Sequence, residues 1–148
     1  MLGSYKFTIF FASLLIILLM APGCKKESSQ NQNEIPIVAV SISLNPNSTE
    51  YIELNPVNGW VYLTGGYRGI IVYRLSLNDF VAFDRACPYD WDANNTRIAL
   101  DSSHVMAQCP TCKSKFLLID GSVYSGPSKY PLKQYQTSYN GNVLYIYN

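Results

Sequence analysis

Apolar and polar side chains alternate along much of this chain, with the period of β-structure. In "IVAVSISL", residues 37–44, the set Ile37, Ala39, Ser41 and Ser43 alternates with Val38, Val40, Ile42 and Leu44, the pattern of a half-buried strand. Short apolar or alternating runs recur at "GWVYLT" (59–64), "GIIVYRLS" (69–76), "FVAFDRA" (80–86), "HVMAQCP" (104–110), "KFLLI" (115–119) and "VLYIYN" (143–148). Turn-rich clusters such as "NPNS", "GGYRG", "SLND", "SGPS" and "YNGN" separate them, and these residue types favour tight reversals. No stretch carries a helical period with caps. The 12 tyrosines suit pleated, half-buried surfaces. Short strands at this spacing predict one all-β antiparallel domain over residues 36–148, a sandwich or small barrel rather than a βαβ fold.

The N-terminus breaks this pattern. A single cation, Lys6, precedes a nearly unbroken apolar run from Phe7 to Met20, followed by "APGC" and the polar "KKESSQNQNE". That is the layout of a secretory signal, and the run is shorter than the roughly 20 residues a membrane-spanning helix needs. "APGC" resembles a bacterial lipobox, with Gly23 before Cys24. The resemblance implies that residues 1–23 are removed and that Cys24 becomes the lipid-modified first residue. Residues 24–35 are then expected to be a disordered tether. The expected location is outside the cytoplasm, anchored by lipid to a bacterial membrane, on its periplasmic side or at the cell surface.

Charge excludes other partners. Lys and Arg total 11 against 10 Asp and Glu, with no long run of either sign. That argues against nucleic acid or an anionic membrane surface as a partner, so the membrane is met through the anchor. No serine–histidine–acid set, glycine-rich phosphate loop or basic stripe can be placed, so no substrate-transforming site is expected.

Two stretches remain as candidate chemistry. "CPYD" begins at Cys87 after one expected strand, and "CPTC" begins at Cys109 after another. Both loops therefore leave strand ends, where neighbouring hairpin tips can face each other. With Cys24 committed to lipid, three cysteines remain, an odd number that cannot all pair within one chain.

The two loops, together with the tail behind them, resemble the Rieske domain, whose pattern is C-x-H followed later by C-x-x-H. The tail matches in order: Phe116, the Asp120–Gly121 turn, Gly126–Pro127 and Pro131–Leu132. The resemblance runs from about residue 37 to the C-terminus and implies a Rieske-like β-sandwich with a cysteine-loop subdomain. It also implies a 2Fe-2S cluster, an electron-transfer role and a redox protein partner. By position, Cys87 and Cys109 match the thiolate ligands, while Tyr89 and Cys112 stand where the histidines belong. Gly126 and Pro127 match the loop that covers the cluster. Lys113 stands where the family has glycine.

The altered ligand set leaves three occupants open. A cluster can accept Cys112 as thiolate, with Tyr89 or the neighbouring carboxylate of Asp90 as its last ligand. Zinc suits Cys87, Cys109, Cys112 and Asp90. His104, the only histidine, is expected at a surface or edge, too far along its strand to join them. The third possibility is a cofactor-free binding or structural module stapled by a disulfide from Cys87 to Cys109 or Cys112. Export favours it over iron, because the n-region lacks the arginine pair used to carry folded cluster proteins across a membrane. Asp90, Asp92 and Asp101 lie in one long loop region that could also bind a cation, but a solvated loop is the expectation for them.

Overall fold

The structure is a computed structural model, and it describes residues 35–93 and 95–148. The expected signal segment, Cys24 and nearly all of the expected tether lie outside the described residues. Ile35, the tether's last residue, is buried, and Lys133 Nζ donates to the neighbouring Pro36 carbonyl at 2.8 Å.

Ten strands form two antiparallel sheets. Strands β1 (Ser41–Leu44), β2 (Trp60–Leu63), β3 (Ile70–Arg74), β4 (Phe80–Asp84), β9 (Gln134–Tyr139) and β10 (Leu144–Tyr147) make the larger one, in the order β1-β10-β9-β4-β3-β2. The smaller contains β5 (Ala99–Leu100), β6 (Met106–Gln108), β7 (Lys115–Leu117) and β8 (Val123–Ser125), in that order. The all-β antiparallel expectation holds. One 3₁₀ helix, Thr49–Leu54, interrupts it.

Every residue of β3 and β4 is buried, which is why their sequences read as continuous apolar runs rather than alternations. Ile71, Tyr73, Val81 and Phe83 pack with Ile98, Phe116 and Leu118 of the small-sheet side. The intervening Ile70, Val72, Phe80 and Ala82 pack on the other face, against Val40, Leu44, Tyr135 and Ile146. Each such aliphatic or aromatic side chain contributes roughly 1.5–3 kcal/mol on burial.

Three strands escape the sequence pattern. β5 and β8 are too short to show a period, and β9 alternates tyrosines and a threonine with Gln134, Gln136 and Ser138 instead of aliphatics. Its one fully inward side chain is Tyr135. The expected strand from His104 starts later, at Met106. His104 is exposed in the preceding turn, with φ 58°.

The polar anchor of the large sheet is Asp84, fully buried at the end of β4. Its Oδ2 accepts from Tyr67 N and from Tyr135 Oη, both at 2.6 Å. Its Oδ1 accepts from Arg68 N at 3.1 Å and Ala86 N at 2.8 Å. Burial first, and then the hydrogen bond to Asp84, push the Tyr135 phenol well above its ordinary value. Tyr135 therefore acts as a permanent donor. Gly66 makes the approach feasible: it has φ 62°, and a Cβ there would lie 2.3 Å from Tyr135 Oη.

Removing one acceptor oxygen from this cluster strands buried donors. Asp84→Asn is expected to lower unfolding stability by about 2–4 kcal/mol, while Tyr135→Phe, which loses one donor, costs about 1–2 kcal/mol. Urea denaturation of both variants measures the difference, and equal small losses would mean that Asp84 is not the anchor.

Candidate metal centre

The first cysteine loop is set by Asp84. Its Oδ1 holds Ala86 N at 2.8 Å, which aims the chain so that Cys87 is fully buried at the edge of the inter-sheet core. Cys87 then opens a β-turn, with Asp90 N donating to Cys87 O at 3.2 Å. Pro88 occupies the second position of that turn, where its fixed φ is favoured. The reversal folds Asp90 back over Cys87 and leaves Tyr89 outside, 56% exposed.

The second loop is the β6–β7 hairpin. Cys109 N donates to Ser114 O at 2.9 Å and Lys113 N to Cys109 O at 3.1 Å, so Cys109 and Cys112 lie on one tight reversal. Closing it puts Lys113 at φ 63°, a left-handed conformation that costs a side-chain-bearing residue roughly 1–2 kcal/mol. That is the physical reason a glycine suits this position. Thr96 Oγ1 and Thr111 Oγ1, 2.8 Å apart, bridge the two loops at the surface.

Cys87, Asp90, Cys109 and Cys112 come together: their ligand atoms all lie within 4.8 Å of one another. The Cys87 and Cys112 sulfurs are 3.5 Å apart, and the Cys109 thiol is 3.7 Å from Asp90 Oδ1. His104 is not in this group, and the Tyr89 side chain is largely exposed. Asp92 is exposed, and Asp101 caps its own turn by accepting from Ser103 N at 2.9 Å.

The three thiols are not equivalent. Burial first, then the hydrogen bond with Asp90, pushes the Cys87 thiol far up; burial also raises Cys109. At Cys112 burial alone would raise the value, but hydrogen bonds from Ser114 and its backbone, then from Cys109 and Cys87, bring it below the ordinary one. Ser114 is fitted for this. Its Oγ accepts from Ser128 N at 3.1 Å and from the Cys112 thiol at 3.2 Å, and once Cys112 has lost its proton the same hydroxyl can donate to the thiolate. The sequence pattern did not single out Ser114 or Asp84. Their signal is burial in the fold, which spacing does not reveal.

The Gly126–Pro127 loop closes on Ser114. Gly126 has φ 104°, and a Cβ there would lie 2.5 Å from Ser114 Cα, so the loop packs tightly on Ser114, two residues after Cys112.

The shape of the group decides what it can hold. A tetrahedral zinc with Zn–S bonds of about 2.3 Å has ligand–ligand edges of about 3.8 Å, close to the separations here. A two-iron cluster instead needs two ligand pairs held apart by the Fe₂S₂ rhomb with a metal–ligand bond at each end. By position, Cys87 and Cys112 would belong to opposite irons, yet they are the 3.5 Å pair. The separations in this donor set match the shell of a single metal ion.

Two backbone substitutions should act in opposite directions. Lys113→Gly relieves the left-handed strain and is expected to be neutral to stabilising by about 1 kcal/mol. Gly126→Ala forces the covering loop off Ser114 and is expected to destabilise by at least about 2 kcal/mol. Thermal unfolding of the two variants checks the pair; a loss in Lys113→Gly would contradict the turn geometry.

No family model matches the chain, and no curated protein matches it. Among solved structures it is similar to one from Mycobacterium tuberculosis described as an NADH-dependent nitrite reductase small subunit, at 17% identity and a TM-score of 0.44, over 76% of this chain and 97% of that one.

Proposed function

We propose that this protein is a lipid-tethered β-domain that binds one zinc-class ion through Cys87, Cys109, Cys112 and Asp90. The observation that carries the reading is the packing of these four donors within 4.8 Å of one another, a single-ion separation. In this reading the domain keeps a Rieske-like arrangement of two facing loops and uses it for one metal instead of a cluster. Three thiolates and a carboxylate fill a tetrahedral shell, which leaves no open position for substrate and makes the ion a clamp. The clamp joins the loop after β4 to the β6–β7 hairpin, and so ties the large sheet to the small one. Ser114 holds Cys112 in its ligating form by donating to the sulfur. Export, cleavage after residue 23 and lipid on Cys24 belong to the same proposal, supported by the sequence alone.

One observation favours a second reading. The 3.5 Å between the Cys87 and Cys112 sulfurs is short enough for a small shift to join them as a disulfide, with Cys109 left as a free thiol and no metal bound.

Full-length protein in mild detergent separates these readings. Elemental analysis and native mass spectrometry are expected to find one zinc per chain and no acid-labile sulfide. Cys87→Ser and Cys109→Ser should abolish stoichiometric binding. Asp90→Asn should retain the ion but weaken it by about tenfold or more, the worth of one charge-assisted contact. Iron and sulfide in equal amounts would restore the cluster reading. A metal-free protein with one free thiol among the three would select the disulfide.

Anchoring is tested separately. The protein is expected to partition into detergent, and Cys24→Ser to leave an uncleaved or soluble form. Stable attachment takes more than one acyl chain, so mass spectrometry of the N-terminus should find several. Unchanged mass and attachment in Cys24→Ser would remove the lipid anchor.

A further inference from the structure

Three arginines that lie far apart in sequence line one pocket of about 310 Å³. Arg68 comes from the "TGGYRG" loop between β2 and β3, Arg85 from just past β4, and Arg97 from just before β5. Tyr62 and the rest of the β2–β3 hairpin from Leu63 to Gly69 also line it.

None of the three forms a salt bridge among the described residues. The one salt bridge among the described residues is between Lys115 and Asp101, away from this pocket. Asp84, the carboxylate on the adjoining strand, is fully engaged by Tyr67 N, Arg68 N, Ala86 N and Tyr135 Oη. Arg85 Nε donates to Ile98 O at 2.9 Å, and its guanidinium stacks 3.8 Å over the Tyr62 ring. This fixes its position while leaving its Nη groups without a hydrogen bond among the described residues. Arg97 is exposed and has no hydrogen-bond or ion-pair partner among them. Arg68 spends its Nη groups on Asn95 and on the Trp91 carbonyl, yet its buried Nε has no acceptor among the described residues. A buried donor without an acceptor is costly.

Arg74 supplies the contrast. It is buried, and all its nitrogens donate to carbonyls, those of Ser76, Leu54, Asn55 and Leu77.

We infer that the Arg68–Arg85–Arg97 pocket binds a phosphate group, as the free ion or as a monoester. Guanidinium forks match phosphate oxygens in geometry and charge, and three converging cations suit a dianion better than a singly charged carboxylate. The pocket's own repulsion points the same way. Burial lowers the Arg85 guanidinium's affinity for its proton and the Arg97 charge adds to this, while Tyr62 opposes both. An anion placed among them relieves that repulsion.

The test uses the full-length protein in neutral detergent, titrated calorimetrically with inorganic phosphate, glycerol 3-phosphate and acetate. Saturable phosphate binding is expected, at least about tenfold tighter than acetate and weakened by salt. Arg97→Ala should weaken it by about tenfold or more, Arg97→Glu should abolish it, and Lys129→Ala, outside the pocket, should leave it unchanged. The Arg68 Nε–H resonance should move on phosphate addition. Tighter binding of glycerol 3-phosphate assigns the pocket to an ester, and tighter binding of phosphate to the free ion. Absence of saturable binding, equal binding of acetate, or unchanged affinity in a folded Arg97→Glu would overturn the proposal. None of these outcomes depends on the metal content of the cysteine group.

Discussion

A buried carboxylate organises this domain. Asp84 forms no salt bridge among the described residues; four backbone or phenolic donors, three of them from other segments, stabilise it instead. Desolvating a carboxylate is expensive unless its lone pairs are met, so the four donors must be in place together. Meeting that condition fixes the β2–β3 loop through Tyr67 and Arg68, the central strand β9 through Tyr135, and the exit from β4 through Ala86. The position of Cys87 follows from the last of these contacts. The path of the arginine loop follows from the first two.

The cysteine group and the arginine pocket therefore share a support although they use different chemistry. Arg85 leaves β4 one residue after Asp84, and Cys87 follows two residues later. Arg68 also reaches the loop beyond Asp90, by donating to the Trp91 carbonyl. The soft-donor group faces the core between the sheets, whereas the cationic pocket opens beside the β2–β3 hairpin.

Much of the architecture was legible in the chain. β3, β4 and β10 are apolar or alternating because they line cores, and period and burial coincide there. β9 was not legible, because its inward residue is a tyrosine whose hydroxyl serves Asp84, and its other positions are polar. At the site, the two Cys-Pro loops were readable as partners, since both leave strand ends. The choice between Tyr89 and Asp90 was not. It depends on the reversal begun by Pro88, which turns one side chain to solvent and the next onto the sulfurs. The departure at Lys113 was visible as a missing glycine, and the positive φ explains what that glycine would have done. The arginine cluster had no sequence signature. Residues 68, 85 and 97 form no run, and only the crossing of three loops makes them neighbours.

Because β3 and β4 carry apolar side chains on both faces, they form a wall common to two cores. Neither core can be exposed without uncovering one side of that wall. The small sheet cannot melt as a separate unit while the large sheet stays dry, and the reverse also holds. The domain should therefore have one unfolding transition, with the slowest-exchanging amides along this shared wall rather than at the edges. Fluctuations that open the cysteine loops would then be confined to the hairpin tips. A small domain gains from this: partial openings that present long apolar strands to proteases or to other chains are coupled to global unfolding.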